Sequence, residues 1–129
     1  MKFLKFFLIA SSLFGAIAHA QTNPFASKLS EAAKVGEELF GRNCQQCHNS
    51  RGKGGKAPQL VRGAWGPGGA NSDAYMYEVV TTGRSNTAMG SFKGSLTDEE
   101  IWQVISFLRE EALRVKAAEA KNKDTYVPW

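Results

Sequence analysis

The sequence predicts an α-helical chain, because three stretches repeat apolar residues at helical spacing, glycine-rich loops separate them, and no convincing strand pattern lies between them. The first of these helical stretches leads into the sharpest local signal, Cys44-Gln45-Gln46-Cys47-His48, which contains the chain's only two cysteines. A length of 129 residues suits one domain near the lower end of the usual size range.

In chain order, Lys2 and Lys5 form a charged start, Phe6 to Ile17 an apolar stretch, and Ala18-His19-Ala20 a small-residue cleavage site. Residues 1–20 therefore read as a secretory signal cut between Ala20 and Gln21, with the bacterial periplasm as destination. The apolar stretch is shorter than the roughly 20 residues that cross a bilayer, so no membrane span is expected after cleavage. Gln21 to Leu29 reads as an irregular lead-in restricted by Pro24. A helix over 30–42 follows: Ser30 offers a cap, Glu31 sits where the helix dipole favours it, and Ala33, Val35, Leu39 and Phe40 supply an apolar face. Gly36 costs about 0.5–1 kcal/mol relative to alanine inside a helix, and is either tolerated or there to admit a second helix.

The motif at the end of that helix reads as a covalent haem attachment site. Two thiols at this spacing can each add to one vinyl group of the same porphyrin, while the next residue's imidazole reaches the iron. Zinc would need about four ligands, and beyond Cys44, Cys47 and His48 the obvious candidate is His19, inside the segment to be removed. A thioredoxin-like pair would need a preceding strand, and a Cys44–Cys47 disulfide would close a short strained loop and leave His48 unexplained. One such motif and no internal repeat imply one haem c.

Gly52, Gly54, Gly55, Gly63, Gly66, Gly68 and Gly69 then exclude regular structure and suit a backbone that bends closely around a flat ligand. The run Gly52 to Lys56 lacks the spacing of a phosphate loop, and Ala57 stands where such a loop needs a hydroxyl. Ala57-Pro58-Gln59-Leu60 makes a stiff turn lying over the porphyrin, with Leu60 as an apolar contact. Asn71, Ser72 and Asp73 are cap candidates for a short second helix carrying Tyr75, Met76, Val79 and Val80, stopped by Thr81-Thr82-Gly83. Ser85 to Ser95 is a loop containing Met89. Thr97 and Glu100 form a capping box that opens the longest helix, with Ile101, Val104, Ile105 and Leu108 on one face and Trp102 and Phe107 on its flanks. Its continuation over 111–129 reads as a solvated extension with an aromatic tail, Tyr126-Val127-Pro128-Trp129, that either folds back or meets a partner.

An iron that only moves electrons needs a second axial ligand opposite His48, the one histidine outside the signal. Met76 lies on the apolar side of a predicted helix and reads as core, so Met89 is assigned as the ligand. The formal charge of +4 includes Lys2 and Lys5 and says little by itself. Between Arg42 and Lys93 basic residues outnumber acidic ones, which either steers an acidic partner or keeps the surface solvated. No helix-turn-helix, zinc-finger or RNP-type pattern accompanies that charge, which argues against nucleic acid.

Taken in order, Gly36 and Phe40, Cys44-x-x-Cys47-His48, Ala57-Pro58-Gln59-Leu60, Gly83-Arg84 to Met89, and Leu96-Thr97-Asp98-Glu99-Glu100-Ile101 resemble the class I c-type cytochromes over roughly Glu31 to Arg109. The resemblance implies an all-α cytochrome c fold over 30–110. Its N- and C-terminal helices cross near Gly36 and Phe40 against Val104 and Phe107, with short helices and loops wrapped around one covalent haem. It further implies that the Pro58 carbonyl accepts a hydrogen bond from the His48 ring nitrogen not on iron, and that Arg62, Trp65 or a nearby tyrosine holds a propionate. Many members have proline directly after the methionine, where this chain has Gly90.

The function implied is that of a monomeric periplasmic electron carrier, not an enzyme. It passes single electrons from a donor such as a quinoprotein alcohol dehydrogenase to a terminal oxidase or another cytochrome. Docking would use a haem edge ringed by Gln46, Lys53, Lys56 and Lys93. Two other readings share the haem: a haem enzyme or gas-binding sensor with labile Met89 ligation, and a fixed haem subunit of a larger redox complex. Intact-mass measurement of exported protein checks the processing: the expected species starts at Gln21 and carries the mass of one haem, and retention of Met1 to Ala20 overturns the signal assignment.

Overall fold

The computed structural model describes residues 21–124, so the signal segment and the aromatic tail lie outside the described residues. Four α-helices follow in order: α1 (Leu29–Asn43), α2 (Gln45–His48), α3 (Asp73–Thr82) and α4 (Asp98–Asp124). Short 3-10 turns occupy Ala26–Lys28, Ser50–Gly52 and Pro67–Gly69, and the described residues contain no strand. This is the all-α architecture expected from the apolar periodicity.

The crossing of α1 and α4 is the principal helix contact, and Gly36 makes it possible. A Cβ built on Gly36 would stand 1.9 Å from the Gln103 carbonyl oxygen and 3.0 Å from Phe107 Cβ. Phe107 is at the crossing as expected. The closest approach, however, is to the backbone of Gln103 rather than to Val104, which is buried in the core. One turn along, the rings of Phe40 and Phe107 meet at 5.4 Å between centroids, tilted by 49°. Because the buried face of α1 is centred on Gly36, Val35 is rotated about 100° away from it and is 44 % exposed, contrary to its expected place on the apolar face.

The start of α1 also differs from the expectation. Asn23 Oδ1 accepts a hydrogen bond from the Phe25 amide at 2.9 Å, a 3-10 turn follows, and α1 grows out of it at Leu29 without a side-chain cap. Ser30 is therefore inside the helix, and its hydroxyl donates to Glu110 Oε1 on α4 at 3.2 Å. The lead-in is anchored rather than irregular: Asn23 is buried and its Nδ2 donates to Ser106 Oγ at 3.1 Å.

The other helix starts follow their local chemistry. Ser72 Oγ accepts from the Tyr75 amide at 3.1 Å to cap α3. At α4 the capping box is complete, with Glu100 N donating to Thr97 Oγ1 at 3.2 Å and Thr97 N to Glu100 Oε2 at 2.8 Å. Those Thr97 hydrogen bonds hold the Glu100 carboxyl below the usual carboxylate range. Tyr77 joins α3 to α4 twice over, stacking on Trp102 at 4.4 Å and donating its hydroxyl to Asp98 Oδ1 at 2.6 Å. Trp102, expected on a flank, is consequently buried. Arg109 Nε donates to Asp73 Oδ1 at 2.7 Å, fastening α4 to the first turn of α3.

Ile101, Val104, Ile105 and Leu108 form the buried stripe of α4 as expected, together with Met76 and Val80 of α3. The helix runs on to Asp124, and the solvated portion starts later than expected: Glu111 and Val115 are buried, whereas residues 116–123 are exposed. Gly36→Ala is expected to destabilise the fold by about 1–3 kcal/mol, as overpacking does. Gly41→Ala, whose added methyl meets only the Gln45 side chain at 4.0 Å, should stabilise by about 0.5–1 kcal/mol. Urea midpoints at unchanged slope read both.

Candidate functional site

The geometry of the motif starts from the end of α1. The Cys44 amide still donates to Phe40 O at 2.9 Å, and the amides of Cys47 and His48 both turn back to Cys44 O, at 3.2 and 3.0 Å. One helical turn, α2, thereby sets both thiols and the imidazole along a single short rod. Both cysteines are free thiols, Cys44 half-buried and Cys47 exposed. Burial, and then the neighbouring Cys47, push the Cys44 thiol up to about 11, opposite to the lowering that a thioredoxin-like nucleophile requires. Among the described residues no group of three or more His, Cys, Asp and Glu side chains could hold a metal ion; His19, the fourth zinc ligand weighed from the sequence, lies outside them.

His48 is oriented by one decisive contact: its Nδ1 lies 2.8 Å from the Pro58 carbonyl oxygen. A carbonyl only accepts, so Nδ1 carries the proton and Nε2 keeps its lone pair for a metal. The loop that brings Pro58 there is held by its own backbone. Gly54 N donates to His48 O at 2.8 Å, Ala57 N to Cys47 O at 2.9 Å, and Leu60 N to Gly52 O at 2.8 Å.

A charge network that the sequence reading missed pins the start of this loop to α4. Arg51, in a left-handed conformation at φ 55°, donates through Nε to Glu111 Oε2 at 2.8 Å, pairs with Glu37 of α1, and lies 5.3 Å from the Phe107 ring centroid. Glu111, on α4, is 1 % exposed and also pairs with Arg114. Burial raises its carboxyl pKa, but the hydrogen bonds from Arg114 and Arg51 outweigh that and hold it at about 2. The signal was present in the spacing: Glu111 falls three residues after Leu108 and four before Val115, on the buried stripe of α4.

On the Met89 side, a tight loop closes on Arg84. The Arg84 amide donates to Met89 O at 2.9 Å, and Thr87 Oγ1 accepts from the Met89 amide at 3.1 Å. Gly83, at φ 76°, is required here, since a Cβ would stand 2.7 Å from Met89 O and from Gly90 C. Met89 is partly exposed while Met76 is 1 % exposed in the core, so of the two candidates only Met89 has a side chain not already consumed by packing. Arg62, offered as a propionate partner, pairs with Glu119 at 2.6 Å. The Trp65 indole donates to Leu60 O at 3.0 Å, and Tyr75 Oη accepts from Arg84 Nη2 at 3.1 Å.

The donor set suits a covalent haem. Two unpaired thiols stand one turn apart, an imidazole has its Nε2 lone pair free, and a thioether is available outside the core. Cys44, Leu60, Trp65 and Phe92 lie only partly buried against the core, leaving apolar surface for a flat macrocycle to cover. Gln46, Lys53, Lys56 and Lys93 are exposed. The cavity of about 280 Å³ between Leu60, Met76 and α4 is lined by none of Cys44, Cys47, His48 or Met89.

Fold and donor set together define a class I c-type cytochrome domain. Residues 31–108 match the family model described as cytochrome c oxidase, cbb3-type, subunit III, and the chain belongs to that family. A curated relative, the cbb3-type cytochrome c oxidase subunit CcoP of Rubrivivax gelatinosus, is 30 % identical over 79 residues, which is 60 % of this chain and 25 % of the relative. The chain thus spans about a quarter of that subunit. Two crystal structures share the fold. Cytochrome cL from Hyphomicrobium denitrificans has a TM-score of 0.60 and 21 % identity, covering 79 % of this chain and 62 % of that one. Cytochrome cL from the marine methylotroph Methylophaga aminisulfidivorans MPT has a TM-score of 0.59 and 24 % identity, covering 83 % and 75 %.

Membership of this family implies a covalently bound haem c. Among the described residues no helix is long and apolar enough to cross a membrane.

The Glu111 network makes acid stability a direct readout. Its carboxyl falls from an ordinary 4.5 to about 2 on folding, so its contribution is full above about pH 4.5 and is lost as pH falls from there towards 2. Glu111→Gln should lower stability at pH 7 by about 1–2 kcal/mol, a figure discounted for water around the two guanidinium groups. It should also flatten the acid limb in urea midpoints measured against pH.

Proposed function

We propose that this chain is a periplasmic carrier of single electrons, in which Cys44 and Cys47 hold one haem c through thioethers and His48 and Met89 are the axial ligands to iron. The observation that carries the reading is the 2.8 Å contact between His48 Nδ1 and Pro58 O, since it fixes the tautomer and ring orientation that an iron ligand needs. Bound haem supplies the ferrous/ferric couple, whose potential a histidine–methionine pair raises. The chain's own residues do the rest. Pro58 O keeps the proton on Nδ1 and adds basicity to Nε2, Leu60 offers apolar contact, and the Arg84–Met89 loop presents the thioether.

In this reading the cytochrome domain runs from residue 30 past 110 to the end of the buried stripe at Val115, is delivered to the periplasm by cleavage of 1–20 and acts as a monomer. Gln46, Lys53, Lys56 and Lys93 are exposed, and the three lysines favour an acidic docking face on the partner, in a small transient interface. The donor we propose is a quinoprotein alcohol dehydrogenase, and the acceptor a terminal oxidase or another cytochrome. A second reading, a haem domain fixed within an oxidase, draws on the similarity to the CcoP subunit. It predicts that native extracts contain this chain only in a large complex, where the carrier elutes as a monomer.

An optical spectrum tests the ligation. Ferric protein should show a methionine–iron charge-transfer band that Met89→Ala abolishes, with a lowered potential, and that Met76→Ala retains. A band lost with Met76→Ala and retained in Met89→Ala overturns the assignment. A high-spin ferric spectrum in the native protein, with rapid carbon monoxide binding after reduction, favours a ligand-binding or enzymatic haem instead.

A further inference from the structure

The loops on the His48 and Met89 sides are tied to each other by protein groups alone. The Trp65 indole Nε1 donates to Leu60 O at 3.0 Å, two residues beyond the Pro58 carbonyl that orients His48. The carbonyl of the same Trp65 accepts from Arg84 Nη2 at 2.9 Å, and that guanidinium nitrogen lies 3.1 Å from Tyr75 Oη. The backbone of Arg84 is in turn the hub of the Met89 loop. Its amide donates to Met89 O at 2.9 Å, and its carbonyl accepts from Thr87 N at 3.2 Å and from Thr87 Oγ1 at 2.9 Å.

From this juxtaposition we infer that Trp65 and Arg84 are positioning residues forming one cross-brace, which sets the Met89 loop relative to the His48 loop and so holds the methionine in place. The inference rests on the proposed ligation by Met89 and goes beyond it by naming what keeps that ligand engaged. A brace is needed at this point. Gly90 follows Met89 directly with nothing near the place where a side chain would start, and the anchors beyond it, Ser91 Oγ donating to Thr81 O at 2.6 Å and Phe92 N to Val80 O at 3.1 Å, tie the loop to α3 and not to the His48 side. Among the described residues the side-chain hydrogen bond at Met89 is the one its amide donates to nearby Thr87 Oγ1, which turns the loop without attaching it to the His48 side. The link to the His48 side passes through the Arg84 side chain. Its Nη2 donates to a carbonyl and a hydroxyl together, with both N–H directions fixed in the guanidinium plane, whereas a lysine ammonium rotates freely on a shorter, flexible stem.

The test uses the haem-loaded protein with Arg84→Gln, Arg84→Lys, Trp65→Phe and the Arg84→Gln/Trp65→Phe double variant. It reads the methionine–iron charge-transfer band and the rate of carbon monoxide binding to the ferrous form. Removing one hydrogen bond to a charged group should raise that rate about tenfold and weaken the band. Arg84→Lys should recover only part of the effect, because charge alone does not span both acceptors. The double variant should resemble the stronger single one, since the two groups act in series. Wild-type band and rate in Arg84→Gln and Trp65→Phe, full recovery in Arg84→Lys, or simple additivity in the double variant each overturn the brace.

Native-state hydrogen exchange on the unmodified holoprotein tests the brace without any variant. The Trp65 indole N–H and the Arg84 amide should open with the same free energy, and clearly different opening free energies refute a single brace. If the wild type lacks the band and Met89→Ala leaves the spectrum unchanged, the ligation reading fails. The exchange result still decides whether the brace exists.

Discussion

Every part of this molecule takes its position from the point where the backbone of α1 touches that of α4. With hydrogen in place of a side chain at Gly36, the two helices approach until a methyl would sit 1.9 Å from the Gln103 carbonyl oxygen. That approach brings Phe40 onto Phe107 and points the C-terminal end of α1 directly into Cys44. The Cys44–His48 motif is therefore an extension of the α1–α4 pair, although the residues around it carry little regular structure. Functional groups built on a rigid scaffold are placed more precisely than groups on free loops. Here α2 inherits that precision through amides still bonded to Phe40 and Cys44 carbonyls.

The long connection from Asn49 to Ser72 has no comparable core of its own, and polar contacts hold it instead. Arg51 is the clearest case. Its strained backbone is sustained by a buried carboxylate on α4, a second carboxylate on α1 and an aromatic face. Such a network contributes little net stability compared with apolar packing, but removing one member leaves the others charged and desolvated. Its value lies in specifying one conformation for the loop that carries the Pro58 carbonyl. Glycine-rich backbone can bend around a macrocycle, and the Arg51–Glu111 link determines where that bend begins.

How much of this was legible in the sequence depended on the range of the interaction. Helices α3 and α4 were legible because Ser72, Thr97 and Glu100 act within one turn of themselves. Gly36 was legible as a contact point because glycine in a helix interior has few other physical reasons to be there. The start of α1 was not, since it depends on Asn23 reaching Ser106, 83 residues away. Val35 was misplaced because apolar character was counted before the face was phased on Gly36. Glu111 fell inside the stretch 111–129 that reads by composition as a solvated extension, although its spacing from Leu108 and Val115 places it on the buried stripe. The contact between His48 and Pro58 came from resemblance to a known family, because no local pattern links a ring nitrogen to a carbonyl ten residues on.

The late end of the buried stripe on α4 bears on how this domain can be moved between proteins. Family similarity stops at residue 108, and in the CcoP subunit a related domain is one part of a much longer chain. Here the physical unit is longer than the shared one: Glu111 and Val115 complete the interior, and Arg62 reaches as far as Glu119. A fusion or transplant joined at the edge of similarity would cut through the interior and leave Arg51 without its buried carboxylate, Glu111. The natural seam lies in the exposed end of α4 beyond Glu119, where a junction leaves the interior whole.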